Sequence, residues 1–154
     1  MPATYEPIAT TTLGSAQSSV TFSTISGSYT DLVLIVAATT DTLKVQFNSD
    51  TGSNYSRTYI YGDGSSATSG RSTSGTFFYI AGGSPSATLN YIQNYSNTTT
   101  YKTVLSRGNA VSNGVDASVS LWRSTSAITS ITLTPNSGTI ASGSVLTLYG
   151  IKAA

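Results

Sequence analysis

The spacing of the apolar residues constrains this chain more than any other feature. They come in short runs, each cut off by Gly, Asn, Asp or Ser, and the roughly 3.6-residue period of an amphipathic helix is nearly absent. Candidate strands fall at 19–25, 31–39, 42–48, 56–62, 75–81, 87–93, 101–107, 116–122, 128–134 and 144–151. Leu43, Val45 and Phe47 alternate with polar residues, as do Val119 and Leu121, which turns one face inward and the other to solvent. The 31–39 run is apolar at both parities, so it is expected to lie centrally with cover on both sides.

Between these runs stand NSDTGSN, GDGSS, AGGSP, NYSNTTT, SNGVD and PNSGT. Such residues tolerate positive φ or cap their own backbone, so they read as turns. About ten short strands joined by polar turns suggest a sandwich, a jelly roll or a barrel, and the expectation adopted is an all-β, antiparallel, jelly-roll-like β-sandwich formed by residues 13–154. Residues 1–12, with Pro2, Pro7 and a Thr run, read as an extended N-terminal arm. The Ser/Gly stretch from Asp63 to Gly75 reads as a long exposed loop.

Composition narrows the function. Only 8% of the 154 residues are charged, while 27 Ser and 26 Thr supply hydroxyls in their place. Ten Tyr, four Phe and one Trp argue against disorder. A net charge of +1 without a basic cluster argues against nucleic acid and against a polybasic membrane anchor. The longest strictly apolar run, Leu32 to Ala38, is seven residues, against roughly 20 for a membrane-spanning helix. The N-terminus has no basic and apolar leader, so the chain is expected to be made soluble in a cytoplasm.

The chain contains no Cys and no His. Disulfides and thiolate metal sites are excluded, as are a histidine base and a histidine ligand. The acids are Glu6, Asp31, Asp41, Asp50, Asp63 and Asp116. A glycosidase needs two of them facing across a sugar, whereas Asp50 and Asp63 sit in ordinary turn sequences. Asn48, Asp50, Gly52 and Asn54 alternate as in a calcium loop, but one carboxylate is too few for that ion. No catalytic residue, metal or cofactor is therefore expected.

The aromatic residues are the remaining candidates. Tyr59 and Tyr61 share one face of their strand, and with Tyr55, Tyr91, Tyr95, Tyr101 and Trp122 they suit stacking or interfaces. Core or subunit-interface packing is favoured over a sugar platform. Trp122 reads as a core anchor and its neighbour Arg123 as an exposed contact. The candidate interface residues are Tyr5, Tyr55, Arg57, Tyr59, Tyr61, Arg71, Tyr95 and Arg123.

Six stretches in fixed order, TLGSAQSSVTFSTI, TDLVLIVAA, FNSDTGSNYS, IQNYSNTTTYKTVLSRGN, LWRSTSAITSITL and LTLYGIKAA, give the chain a further signature. Together they resemble small virion structural proteins of tailed bacteriophages, including those that infect cyanobacteria. The resemblance runs over nearly the whole chain and rests on the ordered set rather than on any single motif. It implies a non-enzymatic capsid cement, or decoration, protein that binds the assembled major capsid protein on the outer surface of the virion, as a homotrimer. The alternative within such phages is a tail or fibre head domain that binds host glycan. A carbohydrate-active enzyme is the alternative from another class.

Overall fold

The computed structural model describes residues 4–80, 83, 85–110 and 114–152. It is all-β, with twelve strands and no helix among the described residues. They are β1 (Tyr5–Thr12), β2 (Val20–Phe22), β3 (Asp31–Ala38), β4 (Leu43–Phe47), β5 (Tyr55–Gly62) and β6 (Ala67–Gly75), followed by β7 (Phe78–Ile80), β8 (Ser86–Ile92), β9 (Lys102–Ala110), β10 (Gly114–Trp122), β11 (Ile131–Pro135) and β12 (Val145–Ile151). Two antiparallel sheets pack together. The wide one has the order β1-β12-β3-β8-β9-β10-β5-β6, and the narrow one β2-β11-β4-β7.

The order has a simple logic. Without the hairpins β5–β6 and β9–β10, the sheets read β1-β12-β3-β8 against β2-β11-β4-β7. That is the eight-strand arrangement of a jelly roll, in which the chain passes back and forth between the layers. The two hairpins dock side by side beyond β8 and double the width of one sheet only. The molecule is thus a jelly roll with a four-stranded wing.

Alternation makes the core. Leu43, Val45 and Phe47 of β4 and Ile131 and Leu133 of β11 point from the narrow sheet, and Leu32, Leu34 and Val36 of β3 and Leu146 and Leu148 of β12 meet them from the wide one. Where the wing begins, four rings tie the layers together. Trp122 of β10 stacks on Tyr55 of β5 with centroids 6.3 Å apart, and its edge meets Phe47 of β4 at 5.5 Å. Phe78 of β7 packs 5.5 Å from Phe47 and 6.1 Å from Tyr55. Offset and edge-on pairs of this kind add to the gain from burial.

All ten expected strands form, with ends displaced by a few residues; Ala81, the last residue of the expected 75–81 strand, lies outside the described residues. Two more strands form where the sequence predicts an arm and a loop. Residues 5–12 of the expected arm are β1, paired along β12 from Tyr5–Ile151 to Thr12–Val145. Pro7 is accommodated because β1 is an edge strand, and the register shifts between Pro7 and Ala9. The expected loop from Asp63 to Gly75 is a tight turn followed by β6, which forms the opposite edge of the same sheet. Residues 1–3 of the arm lie outside the described residues.

One expectation about facing is corrected, and for another strand the structure shows which face is which. The 31–39 run is central but covered on both sides only at its start: Leu32, Leu34 and Val36 face the core, and at the opposite parity Val33 is buried while Ile35 and Ala37 are exposed on the outer surface. Val119 and Leu121 point outward, and Ser118, Ser120 and Trp122 point inward. The largest ring on β10 sets its parity, because burying the indole outweighs burying a Val.

Trp122→Ala removes a ring from the junction of both sheets. The expected loss is about 3–5 kcal/mol of unfolding free energy, read from urea denaturation. A loss below about 1 kcal/mol would contradict the anchoring role of the ring cluster.

Candidate functional site

The structure separates the eight candidate interface residues into three groups. Tyr55 and Tyr95 are core residues. The Tyr55 hydroxyl accepts from the Phe47 amide at 3.0 Å and donates to the Phe47 carbonyl at 3.3 Å, so it closes the β4–β5 connection from inside. Burial pushes its pKa up to about 12. The Tyr95 hydroxyl donates to the Ser26 carbonyl and accepts from the Tyr29 amide. Alternation could not reveal either role, since a ring with a polar tip suits a core and a rim equally.

Arg57, Tyr59, Tyr61 and Arg123 form the second group, held half-buried within the fold. Tyr59 and Tyr61 do share a face, but it is the face of β5 that continues the core side. The Tyr59 ring lies across Gly70 of β6, where a Cβ would stand 2.5 Å from its hydroxyl. Arg57 sits 4.7 Å over the Tyr59 ring and pairs with Asp116 of β10. Arg123 donates to Ser56 Oγ at 3.1 Å and to the carbonyls of Ser53 at 3.1 Å and Tyr55 at 3.3 Å, so it clamps the start of β5 rather than standing free. Only the third group, Tyr5 and Arg71, is exposed as expected.

The turn after β4 is a structural plug. Asn48 and Ser49 take positive φ, and Asn48 bridges to Ala127, Thr129 and Ser130. Asp50 accepts from the Gly52 amide at 2.8 Å, from Asn54 Nδ2 at 2.9 Å and from Trp122 Nε1 at 2.7 Å. The indole bond leads the effects that hold its pKa below the ordinary value. The remaining acids are also engaged. Glu6 pairs with Lys152, Asp31 accepts from Tyr91 and the Asn94 amide, Asp41 from Thr42 and Ser137, and Asp63 caps its own turn through the Ser65 and Ser66 amides. All six carboxylates thus have partners within the chain.

Beyond the ring cluster and Val104, the inner face of the wing and of the adjoining β8 is polar. Asn90, Ser106, Ser118 and Ser120 are buried there, and the Arg57–Asp116 pair lies among them with side chains only 10% and 12% exposed. The serines leave room for the long guanidinium arm, since Arg57 stands level with Ser120 and reaches past Ser118 to Asp116. Burial pushes the Asp116 carboxyl above its ordinary value, against the pull of Arg57. Asn90 Oδ1, Asp116 Oδ1, Arg57 Nε and the hydroxyls of Ser106, Ser118 and Ser120 find no protein partner among the described residues. Lys102 is buried on β9, its Nζ donating to the Thr100 carbonyl at 2.7 Å, and burial lowers its pKa.

The outer face is the reverse. Ile60 (62% exposed), Val115 (60%), Leu105 (55%), Val119 (50%) and Ile35 (39%) all point outward from β5, β10, β9 and β3. Three shallow grooves of about 440, 290 and 250 Å³ run among them, with Ala87, Ala117 and Gly62 in their linings. Sequence reasoning misses this surface. The available signal is the pair of apolar parities on 31–39, which fits an exposed apolar face as well as a second covering layer.

Two outcomes are expected in solution. Arg57→Ala leaves Asp116 buried without its cation and costs about 3 kcal/mol at pH 7, less as the pH falls and Asp116 takes up a proton, whereas Arg57→Met with Asp116→Leu stays near wild type. Urea unfolding at two pH values checks both. Asp41, Asp50 and Asp63 have lowered pKa values, so the stability they contribute is present above their ordinary 3.8 and lost as the pH falls below it. Protonation of Asp116, with the opposite shift, offsets part of that loss. With no histidine in the chain, the thermal midpoint should stay level from about pH 6 to 8 and fall below about pH 4.

A scan against protein-family models gives no match for this chain, and a search of curated proteins gives none either.

Proposed function

We propose that this chain is a non-enzymatic structural protein of a phage virion, a cement protein that binds the assembled major capsid protein and stabilises the shell. The observation that carries the reading is the outer face of the wide sheet, where apolar side chains on neighbouring strands stand exposed with no layer of the protein over them. A contiguous surface of that kind marks an interaction site. The carboxylates that a hydrolase would employ are bonded into turns, caps and two ion pairs. A jelly roll tied by four rings provides a stiff support for such a face. Three copies around a symmetry point of the shell would multiply weak contacts into a firm hold. The ordered resemblance to phage virion proteins supports the same reading.

Cryo-electron microscopy of the virion tests it. Density for the sandwich on the outer shell is the expected result. Density confined to the tail would overturn the cement role and favour a fibre head domain that binds host glycan. In a purified system, the chain should bind expanded, empty capsids, and Asp50→Asn and Asp63→Asn should bind as the wild type does. A hydrolytic activity lost in either variant, with the fold kept, would overturn the non-enzymatic reading.

A further inference from the structure

We infer that the outward face of β9, β10 and β5 docks a partner protein that presents an apolar ridge flanked by carboxylates, and that Arg107 is the central anchor of that contact. The inference rests on the adhesive role proposed above and specifies its chemistry.

Register places Arg107 inside the apolar field. Leu89 of β8 and Ala117 of β10 are its direct neighbours across the strands, and Ile35 and Ile60 close the same row on either side. The next row holds Leu105, Val119, Thr58 and, on β6, Arg71. From β3 to β5 the row crosses four strand spacings, about 19 Å, and Val115 to Val119 adds about 13 Å along the strand. That is the size of the dry centre of a protein interface, whose full extent is about 800 Å² per partner. Arg is enriched in such centres, where its fork pairs with a carboxylate and its stem packs on apolar neighbours. The grooves beside it are lined by Ala87, Ala117 and Gly62, so the partner supplies the protruding side chains.

Charge identifies the kind of partner. Arg71 and Arg107 are exposed and form no ion pair among the described residues, and they are the charged residues at the outward positions of β5, β6, β8, β9 and β10. A second copy of this chain stacked face to face offers them no acid, since no carboxylate stands at those outward positions. Stacking two such faces would bring four guanidinium groups together without a counter-charge. Nucleic acid fits poorly, because two cations in an apolar field give little phosphate neutralisation. A protein surface with carboxylates around apolar side chains meets both requirements.

The test uses expanded, empty capsids of the encoding phage and the full chain, with bound fraction measured against concentration. Arg107→Glu and Val119→Asp should each weaken binding roughly 30-fold, Arg107→Lys should weaken it less, and Thr51→Glu, in an exposed turn, should not change it. These positions are exposed, and an unchanged thermal midpoint confirms that the variants fold. Wild-type binding that is unaffected by Arg107→Glu and Val119→Asp overturns this inference and leaves the cement role standing. No wild-type binding overturns the cement role and this inference with it. Self-association in the ultracentrifuge that Val119→Asp abolishes would assign the face to a second copy and overturn the heterologous partner. Binding to host cells alone, lost in Arg107→Glu, would assign it to an anionic glycan, with the same consequence.

Discussion

Trp122 is the residue on which the architecture turns. Its ring joins Tyr55 from its own sheet to Phe47 from the other, and its Nε1 donates to Asp50 in the turn that links them. A buried indole needs both an apolar slot and an acceptor, and here one turn and three strands supply them together. The parity of β10 follows from that requirement, and through the register of β10 with β9 and β5 so does the facing of the whole wing. The serines of β10 go inward because Trp122 does, and Val115 and Val119 go outward for the same reason.

The second constraint is unequal width. Four strands face eight, so the narrow layer cannot supply apolar partners to the entire inner face of the wide sheet. The protein meets this by changing the chemistry of the rest of that face, which is buried but polar. Leucines and isoleucines line most of the jelly-roll half, while Asn90 of β8 and, beyond the ring cluster, the serines and the Arg–Asp pair of the wing line the rest. A buried ion pair of this sort does little for net stability but is costly to break singly. The wing therefore holds its shape through its ladders and polar contacts, and its apolar side chains remain for the outside.

Much of this is legible in the sequence. Ten of the strands and the all-β class follow from short apolar runs set between turn residues. The two strands that are not legible, β1 and β6, are the two edges of the wide sheet. Both have many exposed residues, so neither shows the alternation that a half-buried strand must show. Facing is harder to read than strand position. Period two shows that Val119 and Leu121 share a side but not which side, and only the partner of Trp122 decides it. The tyrosines mislead for a related reason. Tyr55 and Tyr95 satisfy their hydroxyls on distant backbone groups, contacts 8 and 69 residues away that no local pattern encodes.

The wing consists of two hairpins inserted between strands of the simpler eight-strand plan, and each pairs first with its own other half. Hairpin register is set locally by turn and alternation. Exchanging the outward residues of β5, β9 and β10 would leave the ring cluster, the turn at Asp50 and the long-range crossings of the jelly roll untouched. The exposed apolar surface is thus uncoupled from the part that makes the protein fold. A chain built this way can change the chemistry of that surface by drift at a few outward positions, without passing through an unfolded intermediate sequence.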